Sequence, residues 1–284
     1  MGQIINGKEI ATIIKGEIAA ATSKFKAEKN VTPKLAVVLV GDDPASKTYV
    51  RNKELGCAAV GMLSETVLMP ASTTGKELIE QVKRLNGDRS VHGILVQLPL
   101  PKGLDEIRIL NEILPEKDVD GLHPVNMGKL IKGEEGGFVA CTPQGIIELI
   151  LSTGTDIKGK EAVVVGRSNI VGKPTAILLL QRHATVTIAH SRTRDLGEVT
   201  RRADILVAAI GQPKLITGNM IKPGAVIIDV GTSKVDGKLT GDVDYAAAIE
   251  KAAYITPVPG GVGPMTIALL LKNTLKAAEL LTAK

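Results

Sequence analysis

Apolar residues along this chain alternate between two rhythms. Short runs of Val, Ile, Leu and Ala, bounded by Gly, Pro and Asp, read as buried strands over residues 34–40, 64–69 and 91–96. Between and before them, residues 7–29, 45–60 and 74–85 read as helices. Strand and helix therefore alternate, which predicts βαβ units and a mostly parallel sheet. The second half repeats the rhythm, with strands expected at 162–165, 185–189, 205–209 and 225–229. Residues 114–137 are rich in Gly, Pro and charge, and Thr142-Pro143 opens a helix through Leu151, so a domain boundary is expected near residue 140. The last helix, from Pro264 to about Leu281, starts with proline in its first turn, where the missing N–H costs nothing. Its apolar stripe needs a partner, and the expectation is that it crosses back. The predicted fold is α/β, with one domain at 1–140 completed by 265–284 and a second at 141–264. No repeat or low-complexity tract interrupts this pattern.

One predicted strand leads into chemistry: Val163-Val-Val-Gly-Arg-Ser-Asn-Ile-Val-Gly172. A β-branched run ending in spaced glycines is how a sheet hands a dinucleotide phosphate to a helix. Gly166 lets the chain turn, Gly172 lets the helix pack close, and the first N–H groups of that helix receive the pyrophosphate. Ser168 replaces the usual middle glycine, and one extra residue precedes Gly172. An NAD-binding sheet ends its second strand near an Asp or Glu that takes the ribose 2′-hydroxyl. Here that strand runs into Ser191-Arg-Thr-Arg194, and a hydroxyl with guanidinium groups suits a 2′-phosphate, Arg167 adding a third cation. NADP is the expected cofactor; the competing reading is that Arg192 and Arg194 only solvate a loop.

Tyr49 and Lys53 stand four residues apart and share a helical face. A lysine with its pKa lowered by burial and by nearby Lys47 and Arg51 would serve as a proton carrier, although on spacing alone a surface Tyr–Lys pair is the simpler reading. Gln97 sits at the carboxyl end of a predicted buried strand, where open parallel sheets bind ligands. Asp118-Val-Asp-Gly121 and Pro257-Val-Pro-Gly-Gly-Val-Gly-Pro264 are expected in loops, the second being too rich in Gly and Pro for regular structure. His92, His123, His183 and His190 lack ligand spacing, so no catalytic metal is expected, and no G-x-S-x-G elbow is present.

Composition narrows the classes further. With 284 residues and 44% hydrophobic content, two domains are expected. The net charge of +5 is scattered rather than blocked, and with no Trp and five other aromatics to stack bases, no nucleic-acid partner is expected. Phosphates or carboxylates on a small ligand account for the charge equally well. Cys57 and Cys141 have no neighbouring cysteine, which fits a reducing cytoplasm. The first residues lack the features of a secretory signal, and no apolar run approaches the ~20 residues of a membrane span, so no membrane association is expected.

Taken together, Tyr49-Val-Arg-Asn-Lys53, Val96-Gln-Leu-Pro-Leu-Pro101, Lys117-Asp-Val-Asp-Gly121, Val165-Gly-Arg-Ser-Asn-Ile-Val-Gly172 and Pro257-Val-Pro-Gly-Gly-Val-Gly-Pro-Met-Thr266 closely resemble the bifunctional methylenetetrahydrofolate dehydrogenase/methenyltetrahydrofolate cyclohydrolase family. The resemblance covers nearly the whole chain, and the length suits the form without a fused synthetase domain. It implies two α/β domains flanking a cleft that holds a tetrahydrofolate derivative, a Rossmann-like second domain carrying NADP on a mostly parallel sheet, and homodimerisation through that domain. It implies that Tyr49 stacks on the folate ring, that Lys53 is the catalytic lysine assisted by Gln97, and that Asp120 bonds the pterin edge. Val50, Arg51, Asn52, Val96 and Leu98 join these as substrate contacts, with Pro259, Gly260, Gly261, Val262 and Gly263 lining the folate site. Gly166, Arg167, Ser168, Ser191, Arg192 and Thr232 would contact the cofactor. The implied activity is NADP-dependent oxidation of 5,10-methylenetetrahydrofolate, then hydrolysis to 10-formyltetrahydrofolate. Hydride removal chiefly needs alignment, whereas hydrolysis needs a proton carrier, which is work for Lys53. The alternatives are a dehydrogenase that lacks the hydrolase step or uses NAD, and a non-catalytic dinucleotide-binding module. The last leaves Tyr49, Lys53 and Asp120 without a reason to coexist.

Overall fold

In the computed structural model, which describes residues 1–283, the chain divides into two compact units, each built on its own parallel sheet. It opens with β1 (Gln3–Ile4) and α1 (Gly7–Lys29), then lays down β2 (Lys34–Val40), α2 (Pro44–Ala59), β3 (Leu63–Met69), α3 (Gly75–Gly87) and β4 (Gly93–Val96). Strands β2, β3 and β4 form a three-stranded parallel sheet in the order β3-β2-β4. Being central, β2 is buried on both faces, and so it reads as a continuous apolar run rather than an alternating one. Helix α3 starts with a capping box in which Thr74 and Glu77 satisfy each other's backbone N–H groups. It lays Leu78, Val82 and Leu85, at i, i+4 and i+7, against Ile94 and Val96.

After the short α4 (Glu106–Leu110), the segment rich in Gly, Pro and charge that precedes the expected boundary contains a helix, α5 (Pro124–Lys132). Its ends explain it. The His123 ring accepts the Val125 N–H at 3.1 Å, Pro124 occupies the first turn, and Gly133 stops the helix in a left-handed conformation (φ +70°). The Gly and Pro that mark a loop in sequence are here the helix's two boundaries.

The larger sheet follows. Helix α6 (Cys141–Leu151) precedes β5 (Glu161–Val165), α7 (Gly172–Gln181), β6 (Thr185–Ala189), α8 (Leu196–Thr200), β7 (Ile205–Ala208) and β8 (Val226–Asp229). A small antiparallel hairpin of β9 (Ser233–Val235) and β10 (Lys238–Thr240) leads to α9 (Tyr245–Ile249), β11 (Tyr254–Ile255) and α10 (Val262–Thr282). The strand order is β1-β11-β8-β7-β5-β6, every neighbouring pair parallel. From β5 the chain steps to β6 on one side and then returns to β7 on the other. The carboxyl ends of β5 and β7 are therefore the topological switch point, the place where such sheets bind ligands.

The division of the chain departs from the expected one at its start. Residues 1–12 fall with residues 140–266 because Gln3 and Ile4 pair with Tyr254 and Ile255. A two-residue strand leaves no periodic signal, so this pairing is invisible in the sequence. The other unit comprises residues 13–139 and the chain from 267 onward, where Asn273 donates from Nδ2 to the carbonyls of Val119 (2.8 Å) and Val139 (3.1 Å). No helix among the described residues is long and apolar enough to cross a membrane.

Candidate active site

In the unit with the three-stranded sheet, α2 begins where β2 ends. The Asp43 carboxylate takes the Ser46 N–H at 2.7 Å, and Pro44 opens the first turn. This start fixes the phase of the helix, so Val50, Lys53 and Cys57 point inward while Tyr49, Arg51 and Asn52 remain exposed. Lys53 is only 9% exposed, and its ammonium donates to Gln97 Oε1 at 2.5 Å. Gln97 follows β4 and donates its own Nε2 to the Leu98 carbonyl at 2.5 Å, which turns its amide oxygen toward the lysine. A surface Tyr–Lys pair is thus not what forms. Tyr49 keeps half its surface (49%) open, whereas Lys53 is drawn into a charge-assisted bond at a strand's carboxyl end.

Two details differ from expectation. Lys47, read as a cation pressing on Lys53, instead pairs with Asp42 at 2.9 Å and is largely solvated. Val50 and Val96 are 4% and 3% exposed, so their side chains belong to the core and leave only backbone to face a ligand. Burial pushes the Cys57 thiol up to about 12, which keeps it protonated and unreactive.

Asp120 lies half-buried in the turn after the Lys117–Val119 segment. Its neighbours Lys117 and Asp118, part of the same sequence motif, hold it there through bonds that the sequence does not signal. The buried Lys117 ammonium donates to the carbonyls of Leu85, Asn86 and Asp88 at 3.1, 2.9 and 2.7 Å, closing the end of α3. Burial lowers the pKa of this lysine. Asp118 accepts from the backbone of Leu122 (3.2 Å) and His123 (2.8 Å) and from Asn126 Nδ2 (2.8 Å), and it bridges to Ile94 in parallel. The bridge carries the following residues toward the edge where Gln97 sits. Lys117 and Asp118 build the turn, and Asp120 is the carboxylate it presents.

In the other unit, Gly166 leaves β5 at φ +134°, and a Cβ there would lie 2.2 Å from the Ala209 carbonyl oxygen. A Cβ on Gly172 would lie 2.2 Å from the Gly166 oxygen. Both glycines are thus sterically required, one for the turn and one for the close seating of α7. The Ser168 hydroxyl accepts the N–H groups of Val171 (3.2 Å) and Gly172 (3.3 Å), which explains why a serine works where a glycine is usual: it closes the wider loop. Its O–H proton remains the donor it offers outward. Arg167 and Asn169 are exposed beside it.

At the end of β6, His190 orders the loop carrying Ser191 and Arg192. Its Nδ1 accepts the Arg192 N–H at 3.1 Å, and its backbone N–H donates to Thr193 Oγ1 at 2.8 Å. Asp195, the acid closest in sequence, accepts the Glu198 N–H at 2.9 Å and caps α8, so it is committed to a helix rather than to a ribose. Ser191 and Arg192 are exposed here, and Thr232 is exposed in the loop after β8. A cradle that tolerates no Cβ, a seryl donor and two exposed guanidinium groups fit a phosphorylated dinucleotide.

The Pro259–Gly263 segment is less irregular than its composition suggests. Helix α10 begins at Val262, so Val262 and Gly263 are already helical, and Pro264 sits in the first turn where it has no intrahelical bond to lose. Gly260 is left-handed in backbone (φ +108°) and accepts the Lys8 N–H at 3.2 Å. The peptide bonds Leu98–Pro99 and Val258–Pro259 are both cis, and the sequence signals neither.

By its fold, this is an α/β enzyme of the Rossmann-like, dinucleotide-using class. Residues 5–120 match the tetrahydrofolate dehydrogenase/cyclohydrolase catalytic domain, and residues 140–282 match the tetrahydrofolate dehydrogenase/cyclohydrolase NAD(P)-binding domain. The bifunctional protein FolD of Halothermothrix orenii is 59% identical over 280 residues, 98% of this chain and 99% of that protein. The crystal structure of a bifunctional FolD methylenetetrahydrofolate dehydrogenase/cyclohydrolase from Campylobacter jejuni superimposes with a TM-score of 0.96 at 45% identity, covering 99% of each chain. That of the Trypanosoma brucei enzyme, complexed with NADP cofactor and inhibitor, gives 0.94 at 43%, covering 98% of each. The chain belongs to the tetrahydrofolate dehydrogenase/cyclohydrolase family.

Proposed function

We propose that this chain oxidises 5,10-methylenetetrahydrofolate to 5,10-methenyltetrahydrofolate with NADP and hydrolyses the product to 10-formyltetrahydrofolate. The observation that carries the reading is the buried Lys53–Gln97 pair at the carboxyl edge of the smaller sheet. A pure dehydrogenase or a dinucleotide-binding module has no use for a desolvated lysine held 2.5 Å from an amide oxygen in the catalytic domain.

Gly166, Arg167, Ser168, Ser191, Arg192 and Thr232 would hold the cofactor, with the pyrophosphate at the start of α7 and the 2′-phosphate near Ser191 and Arg192. Bound there, NADP supplies the acceptor for the hydride that leaves the bridging methylene carbon. No strong acid or base is needed in that step, because the carbocation is delocalised over two nitrogens. Hydrolysis differs: the attacking water loses a proton, and a ring nitrogen gains one before the C–N bond breaks. Lys53 would carry that proton, with Gln97 Oε1 fixing the direction of its N–H bonds. Tyr49 presents an open aromatic face one helical turn away, suited to a flat ring, and Asp120 presents a carboxylate suited to an amino-pyrimidine edge. Homodimerisation and a cytoplasmic setting belong to the same reading, supported by the family resemblance and by the two buried cysteines, which form no disulfide.

A coupled assay tests it. NADPH formation from methylenetetrahydrofolate should precede decay of the methenyl compound, with NADP preferred over NAD. A faster rate with NAD, or methenyl decay at its uncatalysed rate, would refute the assignment.

A further inference from the structure

β7 and β8 end side by side, with Ala208 opposite Asp229, and the chain leaving each strand is held by a carboxylate. Asp242 is fully buried, and its Oδ2 accepts the N–H groups of Ile210 (2.6 Å) and Gly211 (3.0 Å), just past β7. Asp229 is 3% exposed; its Oδ1 accepts from Gly231 (3.1 Å) and Asp242 (2.9 Å), and its Oδ2 accepts from Val243 (3.0 Å). The bonds form one chain, from the loop after β7 through Asp242 to Asp229 and on to the loop after β8. A Cβ on Gly241 would lie 1.9 Å from Asp229 Oδ2, so the end of the β9–β10 hairpin is shaped around this carboxylate.

The clamp borders the dinucleotide turn. Ala209 donates its N–H to the Val165 carbonyl at 2.8 Å, and its own oxygen is the atom that any side chain on Gly166 would strike. A dinucleotide laid across the switch point with its 2′-phosphate end over β6 must place its other end over β7 and β8. Two like charges buried together destabilise a fold unless directed bonds compensate. Here every bond they make to a main-chain N–H fixes backbone at that edge.

We infer that Asp229 and Asp242 are positioning residues for the oxidation step, holding residues 209–212 and 230–232 in the conformation that receives the nicotinamide end of NADP; this rests on the function proposed above. The clamp is also sensitive to pH. Burial, with the charge of Asp242 adding to it, pushes the Asp229 carboxyl up from 3.8 to about 6. Asp242 is the charge that faces it, while β7 contributes the uncharged Ala208 and the residue just past β11 is the uncharged Thr256. Protonating Asp229 removes acceptor capacity from the clamp, so NADP binding should weaken as pH falls through this range.

The test compares intact wild type with Asp242→Ala and Asp242→Asn, by NADP titration calorimetry and steady-state kinetics. Asp242→Ala should raise the Kd and KM for NADP tenfold or more while kcat at saturating NADP falls less than threefold. Asp242→Asn keeps an oxygen for Ile210 and Gly211 and should restore both constants to within threefold. Because it removes the charge facing Asp229, it should also gain affinity severalfold relative to wild type between pH 8 and pH 5. Taking the ratio of the two proteins cancels titration of the 2′-phosphate, whose own pKa is about 6. Wild-type NADP affinity in Asp242→Ala, or a ratio that stays flat with pH, would overturn the inference. If Asp242→Ala does not fold, the ratio decides. Failure of the wild type itself to bind NADP would overturn the proposed function instead.

Discussion

Replacing Lys53 with Met removes the ammonium while keeping an unbranched side chain of similar length, and the structure sets the size of the result. The lost group is 9% exposed and donates to Gln97 Oε1 at 2.5 Å. Leaving that acceptor without this donor costs about 1–3 kcal/mol, and no longer desolvating a charge offsets part of it. The stability change should therefore stay near 1 kcal/mol, too small to unfold the protein. The catalytic loss is larger: a positioned proton carrier contributes about 10²–10⁴-fold, equivalent to ~3–5 kcal/mol of barrier. Methenyl hydrolysis, followed by the decay of the compound's absorbance, should slow by that factor, while NADPH formation stays within about tenfold of wild type and NADP affinity does not change. Hydrolysis that remains within threefold of wild type would refute this role for Lys53. A joint fall of both activities and NADP affinity would refute it equally, since Lys53 would then only support the fold.

Gly166→Ala and Gly172→Ala each place a Cβ 2.2 Å from a carbonyl oxygen, so NADP affinity should drop at least tenfold in both; unchanged calorimetric binding would show that the turn relaxes and does not cradle phosphate. Asn273→Ala strips a donor from the Val119 and Val139 carbonyls and should destabilise by about 2 kcal/mol, read from urea midpoints. It should also raise the KM for folate, because Val119 adjoins Asp120; an unchanged midpoint and KM would count against this support. Asp229→Asn tests the cost of burying that carboxylate. A folded pKa of about 6, raised from 3.8, means the native state holds its proton more tightly than the unfolded chain. Its contribution is fully present below about pH 4 and lost as pH rises through 6, a swing of about 3 kcal/mol. Going from pH 7 to pH 4, wild type should gain about that much relative to Asp229→Asn in denaturant unfolding. A constant difference would place the carboxyl's pKa back near its ordinary value.

Long strands and amphipathic helices were legible because their signals are local. The run that becomes β2 is apolar at successive positions for the reason that makes it central, and the 74–85 pattern holds the capping box and the stripe Leu78, Val82, Leu85 that define α3. What escaped was set by partners distant in sequence. The two-residue β1 exists because β11 offers an edge, and α5 was hidden because the residues that bound it are those that mark loops. The same holds at the site. Tyr49 and Lys53 share a face by spacing, but nothing local shows that Lys53 is buried against Gln97, 44 residues away. Lys47 was read as its neighbour and instead answers to Asp42. Asp229 and Asp242 carry no motif at all, since their bonds run to backbone N–H groups that any residue could supply.

The two reactions make unequal demands, and the residues proposed for each lie in different units of the chain. Hydride transfer asks for a dinucleotide held in register, which backbone provides: a glycine turn without room for Cβ, helix N–H groups, and loops tied by carboxylates, all within residues 140–266. Hydrolysis asks for a proton to be moved at a defined atom, which needs a side chain with a fixed direction. Lys53 has that direction because Gln97 is itself oriented by the Leu98 carbonyl, within residues 13–139. Substitutions at Gly166 or Asp242 should therefore act through NADP affinity, and substitutions at Lys53 or Gln97 through the hydrolytic rate. A Gln97→Leu variant sharpens the distinction: the ammonium stays, its orienting acceptor is lost, and hydrolysis should fall by a smaller factor than in Lys53→Met with NADP affinity unchanged. A loss equal to that of Lys53→Met would mean that direction, and not the mere presence of the ammonium, governs the step.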